Sequence, residues 1–386
     1  MSNRILLPRI IEIGKNACQK LPSILSTFNI KKVLIVTDDT MVKLGYVQLL
    51  QDILNLNKIE STVYADTIPE PTDGSITAGI NLVHQRHFDG MIALGGGSVI
   101  DSAKAISILG KLGGSIRDYK FPRQVDEQGL PLIAIPTTAG TGSEVTKFTI
   151  ITDEEKNEKL LCVGAGFMPI ATIVDYSLSL SVPPRTTADT GIDAMTHAIE
   201  AYVSQKQNIY SDQQALAAMR LIGPNLKRAF HNGQDQEARE KMMLGATLAG
   251  IAFSNASVAL VHGMSRPIGA FFHVPHGLSN AMLLPNVTAF SIPASPNRYA
   301  DCAIALGVAS HTDTIALANQ KLIQFLKDLN QELNVPTLAE FGVQQEKFNN
   351  LLDTLCEQAF ASGSPNNNPR IPTVDEMRSI YRSLWL

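Results

Sequence analysis

A carboxylate and several imidazoles that suit a metal ion occur between residues 193 and 276. Asp193 and His197 stand four residues apart, a spacing that places both side chains on one face of a helix, one turn from each other. By itself such a pair is more often a surface ion pair or a buried polar contact than a metal site. The histidines that follow supply further candidate ligands, and they favour a metal site over an isolated pair.

His262, His273 and His276 supply three more imidazoles, and Pro275 and Gly277 flank the last of them. This proline and glycine favour a turn over a continued helix, so we expect a broken helical element here. One carboxylate oxygen and three neutral imidazoles suit Fe²⁺ or Zn²⁺, and a ligand position left open on the ion would make the site catalytic. The sequence therefore predicts a catalytic metal site.

Strands and helices alternate in the first part of the chain. Apolar, β-branched runs predict strands at 31–37, 60–65, 91–94 and 132–135. Helical patterns follow the first three runs, at 40–54, up to about residue 87, and from Ser98 onward. This order predicts a mostly parallel sheet covered by helices on both faces.

Two loops after predicted strands suit a phosphate ligand. Gly95, Gly96 and Gly97 lead directly into the helix that begins at Ser98, whose free N–H groups and positive dipole end favour a pyrophosphate. The segment 136–146 is rich in threonine, serine and glycine, and its hydroxyls can bind phosphate or ribose. Ligands of open α/β sheets gather at the carboxyl ends of the strands.

The pattern changes after Val182. From Pro183 onward alanine, leucine and methionine recur at helical spacing, so we predict an α/β domain at 1–182 and an all-α domain at 183–386. The polar or proline-containing segments 292–297 and 362–370 are interpreted as surface connections between helices.

Composition excludes several classes of protein. The net charge is -4, the isoelectric point is near 6.1, and no basic run suggests nucleic acid as a partner. The amino terminus lacks the pattern of a signal peptide, and no apolar stretch is long enough to cross a membrane. The four scattered cysteines are interpreted as buried thiols in a reducing cytoplasm.

Four ordered motifs together resemble the iron-dependent (group III) alcohol dehydrogenases, a family of the dehydroquinate synthase-like superfamily. They are Gly-Gly-Gly-Ser-x-x-Asp at 95–101, Pro-Thr-Thr-Ala-Gly-Thr-Gly-Ser-Glu at 136–144, Gly-x-Asp-Ala-x-Thr-His-Ala-x-Glu at 191–200, and the segment from His262 to Gly277. The resemblance covers roughly residues 32–285. It implies an amino-terminal dinucleotide-binding domain, a carboxyl-terminal helical domain, the metal in the cleft between them, and a homodimer or larger homo-oligomer.

The resemblance also implies roles for individual residues. The metal ligands would be Asp193, His197, His262 and His276. The contacts to NAD would be Asp38, Gly95, Gly96, Gly97, Ser98, Asp101, Thr137, Thr138, Thr141, Ser143 and, less securely matched, Lys159 and Leu178. Asp38 matches the acid that binds the adenosine ribose, and its charge would repel the 2′-phosphate of NADP.

Two positions depart from the family pattern. Arg266 stands where the family commonly has a histidine near the nicotinamide, and a guanidinium cannot act as a general base. His273 is the candidate for proton transfer, or else a surface or packing histidine. Phe148 stands where relatives that handle small diols carry an amide, which predicts an apolar substrate pocket shared with Phe253.

These residues predict an enzyme that interconverts an alcohol and an aldehyde or ketone with NAD and Fe²⁺, or Zn²⁺ in its place. Two alternatives remain open: a hydroxy-acid dehydrogenase of the same fold, for example on 4-hydroxybutyrate, and a lyase of the dehydroquinate synthase type that uses NAD and zinc. Arg266 either holds a substrate anion or pairs with a local acid or with the cofactor.

Overall fold

The computed structural model describes residues 2–385, and these residues form two compact units. One unit is Ile5–Val182, and the other is formed by the chain from Pro183 onward with the few residues before Ile5. Each unit has its own architecture and is described separately.

Six parallel strands form the sheet of the first unit. In spatial order they are β1 (Ile10–Ile13), β8 (Ala171–Val174), β5 (Leu132–Pro136), β4 (Gly90–Gly95), β2 (Lys32–Val36) and β3 (Glu60–Tyr64). A separate antiparallel hairpin consists of β6 (Phe148–Asp153) and β7 (Glu158–Val163). The predicted parallel sheet is confirmed, although the sequence analysis missed β1, β8 and the hairpin.

Apolar residues on both faces of the sheet hold the helices in place. In β2, Leu34 and Val36 belong to one buried cluster, and Val33 and Ile35 belong to another. Because successive side chains of a strand point to opposite faces, both faces of this sheet are covered. The covering helices are α1 (Leu21–Thr27), α2 (Asp39–Lys43), α3 (Tyr46–Leu56), α4 (Thr77–Gln85) and α5 (Gly97–Leu112).

The predicted helix at 40–54 is in fact two helices. Gly45 separates α2 from α3 and has a φ of 78°, a backbone conformation that glycine adopts without steric cost. Asp38 begins α2, and its carboxylate accepts a hydrogen bond from the Met41 N–H at 2.9 Å. Asp38 therefore satisfies one of the free N–H groups at this helix end.

The strand order places the two predicted ligand loops side by side. The chain runs from β2 outward to β3 and then returns to β4 on the other side of β2, so the strand order reverses between β2 and β4. Ligands of open α/β sheets bind at such a point, beyond the carboxyl ends of the strands. Asp38 follows β2, Gly96 follows β4 and Thr137 follows β5, so all three lie at this edge of the sheet.

Helices make up the second unit, in which the described residues contain no strand. The helices are α6 (Pro184–Val203), α7 (Ile209–His231), α8 (Gln236–Ala256), α9 (Leu260–Phe272), α10 (His276–Ser291), α11 (Pro296–Ala305), α12 (Ile315–Glu332), α13 (Leu338–Phe341), α14 (Gln345–Ala361) and α15 (Val374–Arg382). The all-α prediction for this part of the chain is confirmed.

The prediction that 362–370 is a surface connection was wrong. Ser364, Asn367 and Asn368 are buried, with relative exposures of 5% or less. The Asn367 amide donates to the carbonyl of Val258, and Gln205 N–H donates to the carbonyl of Asn367. The polar side chains of this segment form hydrogen bonds with buried backbone groups, which composition alone does not reveal.

No single helix among residues 2–385 is both long and apolar enough to span a bilayer, although α8 and α9, which meet at 102°, pass the length and composition test as a pair.

Gly97 should not tolerate a side chain, whereas its neighbour Gly96 should. A Cβ at position 97 would lie 2.5 Å from Thr141 Cγ2, and one at position 96 would lie 3.4 Å from Thr138 Oγ1. We expect Gly97→Ala to destabilise the protein by about 1–3 kcal/mol, because the 141 loop must move, and Gly96→Ala to have a smaller effect. Thermal unfolding measures this difference, and equal midpoints for the two variants would contradict the close packing of the loops.

Candidate metal centre

One face of α6 carries three buried polar side chains. Asp193, His197 and Glu200 follow at intervals of four and three residues, so they lie in a row along the helix. Their relative exposures are 1%, 4% and 3%. Charged groups are rarely buried to this extent unless they are paired or bind a metal, so this face of α6 needs partners.

Two glycines allow other helices to approach α6 closely. A Cβ at Gly277, the second residue of α10, would lie 2.4 Å from the carbonyl oxygen of Asp189. A Cβ at Gly191 would lie 2.3 Å from Leu226 Cδ1 of α7. The start of α10 is therefore in direct contact with the backbone of α6, which brings His276, its first residue, to Asp193.

Three predicted ligands converge. His262 Nε2 lies 3.4 Å and His276 Nε2 lies 3.7 Å from Asp193 Oδ1. One ligand atom from each of the three residues lies within 4.8 Å of the other two. These residues come from α6, α9 and α10, so the site depends on the packing of three helices.

His197, the fourth predicted ligand, lies beside this group. Its Nδ1 is 3.8 Å from Asp193 Oδ2, the other oxygen of the same carboxylate. Its ring stacks on His262 at 4.3 Å between centroids and on Phe253 at 4.2 Å. His197 therefore packs between an imidazole and a phenyl ring, and its role as a ligand stays a prediction.

Glu200 fixes the orientation of His262. The Glu200 carboxylate accepts hydrogen bonds from Ala259 N–H at 2.8 Å, from Val261 N–H at 2.5 Å and from His262 Nδ1 at 2.6 Å. The backbone donors lie at the start of α9, where N–H groups lack partners within the helix and an anion is favoured. Because Nδ1 carries the hydrogen, Nε2 presents its lone pair towards Asp193.

Two serines set the orientation of His276 in a similar way. The hydroxyl of Ser279 donates to the carbonyl of His276 at 2.9 Å and lies 2.7 Å from Ser265 Oγ. Each hydroxyl has one hydrogen, so Ser265 donates to Ser279 and accepts from His276 Nδ1 at 3.3 Å. With its hydrogen on Nδ1, His276 carries the lone pair on Nε2, the atom that lies 3.7 Å from Asp193 Oδ1.

The contacts of the Asn280 amide indicate that these residues fit a metal ion. Its Nδ2 lies 2.7 Å from Asp193 Oδ1 and 3.2 Å from Nε2 of both His262 and His276. Nδ2 has two hydrogens and cannot satisfy three acceptors, and Asn280 Oδ1 is buried without a hydrogen-bond partner. The three side chains thus point their lone pairs at one electropositive group, as ligands do around a cation.

The electrostatics of the cluster favour a cation as well. Burial opposes the charge of Asp193, but the neighbouring His197, His276 and His262 hold its pKa below the ordinary value. Burial also disfavours a charged His262, yet the Glu200 and Asp193 carboxylates raise its pKa. Two buried carboxylates therefore create a negative potential around the imidazoles, which a divalent cation would neutralise.

In the first unit, the two predicted ligand loops are in contact. Some of the residues predicted to bind NAD form hydrogen bonds with each other or with the backbone. Ser143 Oγ donates to Asp101 at 2.6 Å, and the Ile150 N–H donates to the other oxygen of Asp101 at 2.9 Å. Asp101 thereby ties α5 to the 143 turn and to β6. Thr137 N–H donates to the Gly95 carbonyl at 3.1 Å, which joins the two loops through their backbones.

Lys159, Ser98 and Leu178, which were also predicted to contact NAD, lie in different surroundings. Lys159, on β7, forms an ion pair with Glu70, and the Glu70 N–H donates to Ser98 Oγ at 3.3 Å. Leu178 is buried at 3% exposure in one of the two sheet cores. The contacts of these residues with a dinucleotide stay predictions.

The residues predicted to surround the substrate are placed as follows. Arg266 lies on α9, one turn after His262, and is 9% exposed. His273 is exposed at the end of α9 with a φ of 55°, and it makes no hydrogen bond or ring contact with the cluster. Phe253 is buried on α8 against His197, and Phe148 begins β6 in the other unit.

The sequence analysis assigned no role to Glu200 or Asn280. Spacing could have indicated both, because Glu200 lies seven residues after Asp193 and Asn280 lies four residues after His276, each on the ligand-bearing face of its helix. Ser265 and Ser279 gave no comparable signal, since hydroxyls are common in helices of every kind.

Glu200→Gln should weaken metal binding. The amide keeps the shape of the side chain, but it cannot accept from all three donors as a charged group, so His262 loses its fixed orientation. We expect metal affinity to fall roughly 10–100-fold, measured as metal content after dialysis against a chelator series. Asp301→Asn is the control, because this exposed carboxylate of the same unit binds Tyr202. Equal metal content in both variants would contradict the role of Glu200.

Comparisons with known proteins identify the family of the chain. The family described as "Iron-containing alcohol dehydrogenase" matches residues 8–176, and its carboxyl-terminal part matches residues 187–385. Alcohol dehydrogenase 4 of Schizosaccharomyces pombe is 37% identical over 98% of this chain and 88% of its own length. The NAD-dependent methanol dehydrogenase of Bacillus methanolicus is 34% identical over 99% of this chain and all of its own.

A solved structure gives the same result for the fold. The crystal structure of a 1,3-propanediol oxidoreductase superimposes with a TM-score of 0.95 at 32% identity and covers 100% of both chains. Together with the three converging ligands, these matches show that the chain belongs to the family of iron-containing alcohol dehydrogenases, enzymes that interconvert alcohols and carbonyl compounds.

Proposed function

We propose that this protein is an NAD-dependent alcohol dehydrogenase whose metal ion, Fe²⁺ or Zn²⁺ in its place, is held by Asp193, His197, His262 and His276. The observation that carries the proposal is the convergence of Asp193, His262 and His276, with both histidines presenting Nε2 lone pairs. Nitrogen and oxygen donors of this kind suit a borderline divalent ion.

The metal and the dinucleotide supply the reactivity. When bound, the cation acts as a Lewis acid towards the substrate oxygen and the dinucleotide accepts a hydride, so that an alcohol yields a carbonyl compound, NADH and one proton. The protein orients the ligands through Glu200 and the Ser265–Ser279 pair. It also buries Asp193, His197 and His262, which keeps water from these three side chains. His273 stays our candidate for the group that takes up the proton.

Three features of the first unit support a dinucleotide whose adenosine ribose carries no 2′-phosphate, that is, NAD. The glycine loop at 95–97 precedes α5, whose first N–H groups suit a pyrophosphate. The loop at 137–141 packs against Gly97. Asp38 follows β2 at the reversal of strand order, where a carboxylate binds the ribose hydroxyls and repels a 2′-phosphate.

The compartment, the oligomeric state and the substrate pocket belong to the same proposal. All four cysteines are free and buried, which supports a reducing cytoplasm. A homodimer or larger assembly stays a prediction from the family resemblance. Phe253, packed on His197, supports an apolar wall for a small alcohol, and the role of Phe148 stays a prediction.

Replacing a ligand should abolish turnover without abolishing dinucleotide binding. We expect His262→Ala and His276→Ala to lose bound iron and to reduce kcat by at least roughly 10³-fold, because the Lewis acid is lost. His197→Ala tests the fourth ligand in the same way. Metal analysis, NADH absorbance and NADH fluorescence titration measure the three quantities. Near-normal turnover in His262→Ala or His276→Ala would refute the metal assignment.

Removing the charge of Asp38 should admit NADP. Asp38→Ser keeps a side chain that can accept from the Met41 N–H, whereas Asp38→Ala also loses this helix cap, worth about 1 kcal/mol. We expect kcat/KM for NADP⁺ relative to NAD⁺ to rise at least about tenfold in both variants, and stability to fall only in Asp38→Ala. An unchanged cofactor ratio in both would show that Asp38 does not select the cofactor.

A further inference from the structure

Arg266 is a buried cation that forms no ion pair with a carboxylate among residues 2–385. It is 9% exposed, and no carboxylate oxygen of the described residues lies within 4.0 Å of its guanidinium. The charge of Glu200 influences Arg266, but the Glu200 oxygens bind Ala259, Val261 and His262. The expectation that Arg266 pairs with a local acid is therefore wrong.

One edge of this guanidinium has no hydrogen-bond acceptor. Nη1 donates to Ser364 Oγ at 3.0 Å, whereas Nε is buried without a partner and Nη2 donates to no described residue. Nε and Nη2 form the edge that binds a carboxylate with two parallel hydrogen bonds. In Arg228 of the same unit this edge binds both oxygens of Asp235, at 3.0 and 3.2 Å.

The segment around Ser364 holds Arg266 in this position. A Cβ at Gly263 would lie 2.7 Å from Pro365, so the segment packs directly on α9. Burial lowers the pKa of Arg266 to about 10, against the opposing effect of Glu200, so the group remains charged at neutral pH. A buried charged group with two donors that lack acceptors is stabilised when an anion accepts both hydrogen bonds.

Arg266 lies close to the metal ligands. It follows His262 by four residues on α9, so both side chains lie on one face, one helical turn apart. Ser364 takes one hydrogen bond of the guanidinium, so Nε and Nη2, one helical turn from His262, have no acceptor among the described residues.

We propose that the Nε/Nη2 edge of Arg266 binds the carboxylate of the substrate, so that the enzyme prefers short hydroxy carboxylates and their aldehydes to uncharged alcohols. This inference rests on the proposed function and names the substrate class of that same site. The carboxylate takes no part in the redox step, since the alcohol carbon loses the hydride and the hydroxyl loses the proton.

The test compares charged and uncharged substrates of equal length on the metal-loaded enzyme. The pairs are 3-hydroxypropanoate with propan-1-ol, 4-hydroxybutyrate with butan-1-ol, and 5-hydroxypentanoate with pentan-1-ol. We expect kcat/KM for the carboxylate to exceed that for the alcohol at least about tenfold in one pair, as a charge-assisted hydrogen bond permits. The ratio should fall at least about tenfold in Arg266→Gln and less in Arg266→Lys.

Arg228→Gln is the matched control, because it removes an exposed arginine of the same unit whose partners are Asp235 and Glu237. Its ratio of carboxylate to alcohol turnover should equal that of the unmodified enzyme. Calorimetric titration of the holoenzyme with butanoate and with butanamide gives a readout without turnover, and only butanoate should bind more weakly in Arg266→Gln.

Two results would overturn the inference. They are the absence of a preference for the carboxylate in every pair, and an equal loss for charged and uncharged substrates in Arg266→Gln. Either result would leave the proposed function intact if alcohols still yield NADH. An enzyme that forms NADH from none of the six substrates would refute the proposed function itself.

Discussion

The carboxylate of Asp193 is the point on which the helical unit depends. It is buried at 1% exposure, and its oxygens face His197 on its own helix and His262, His276 and Asn280 on α9 and α10. Burying an ionised carboxylate is costly unless hydrogen bonds and opposite charge compensate it. The close packing of α10 on α6 at Gly277 provides that compensation, because it brings His276 and Asn280 to the buried charge.

His262 and His276 present Nε2 lone pairs because other residues accept the hydrogen on Nδ1. Glu200 binds the hydrogen of His262 Nδ1 and two N–H groups at the start of α9, so one buried carboxylate both orients a ligand and caps a helix. A divalent cation would offset the two buried carboxylates of Asp193 and Glu200, and Arg266 adds a positive charge beside them. The helical unit thus contains one cluster that suits a metal ion and one guanidinium that we propose binds an anionic group.

The sequence predicted the long elements, and three of its four candidate ligands converge, for a physical reason. Periodicity over many residues identifies a covered sheet and a helical domain, and the spacing of Asp193 and His197 follows directly from helix geometry. Four-residue strands such as β1 and β8 are too short for a period to show. The burial of 362–370 was missed because polar composition indicates a surface loop, whereas Asn367 and Asn368 serve buried backbone and hydroxyl groups. That no acid of the described residues pairs with Arg266 also could not be read from sequence, since it depends on where distant acids lie.

Anomalous diffraction at the iron absorption edge, on crystals of the iron-loaded enzyme, tests the central claim most directly. If these residues hold the iron, one strong peak lies within roughly 2.0–2.3 Å of Asp193, of His262 Nε2 and of His276 Nε2. A peak bonded to other residues, or to fewer than two of these three, would contradict this claim.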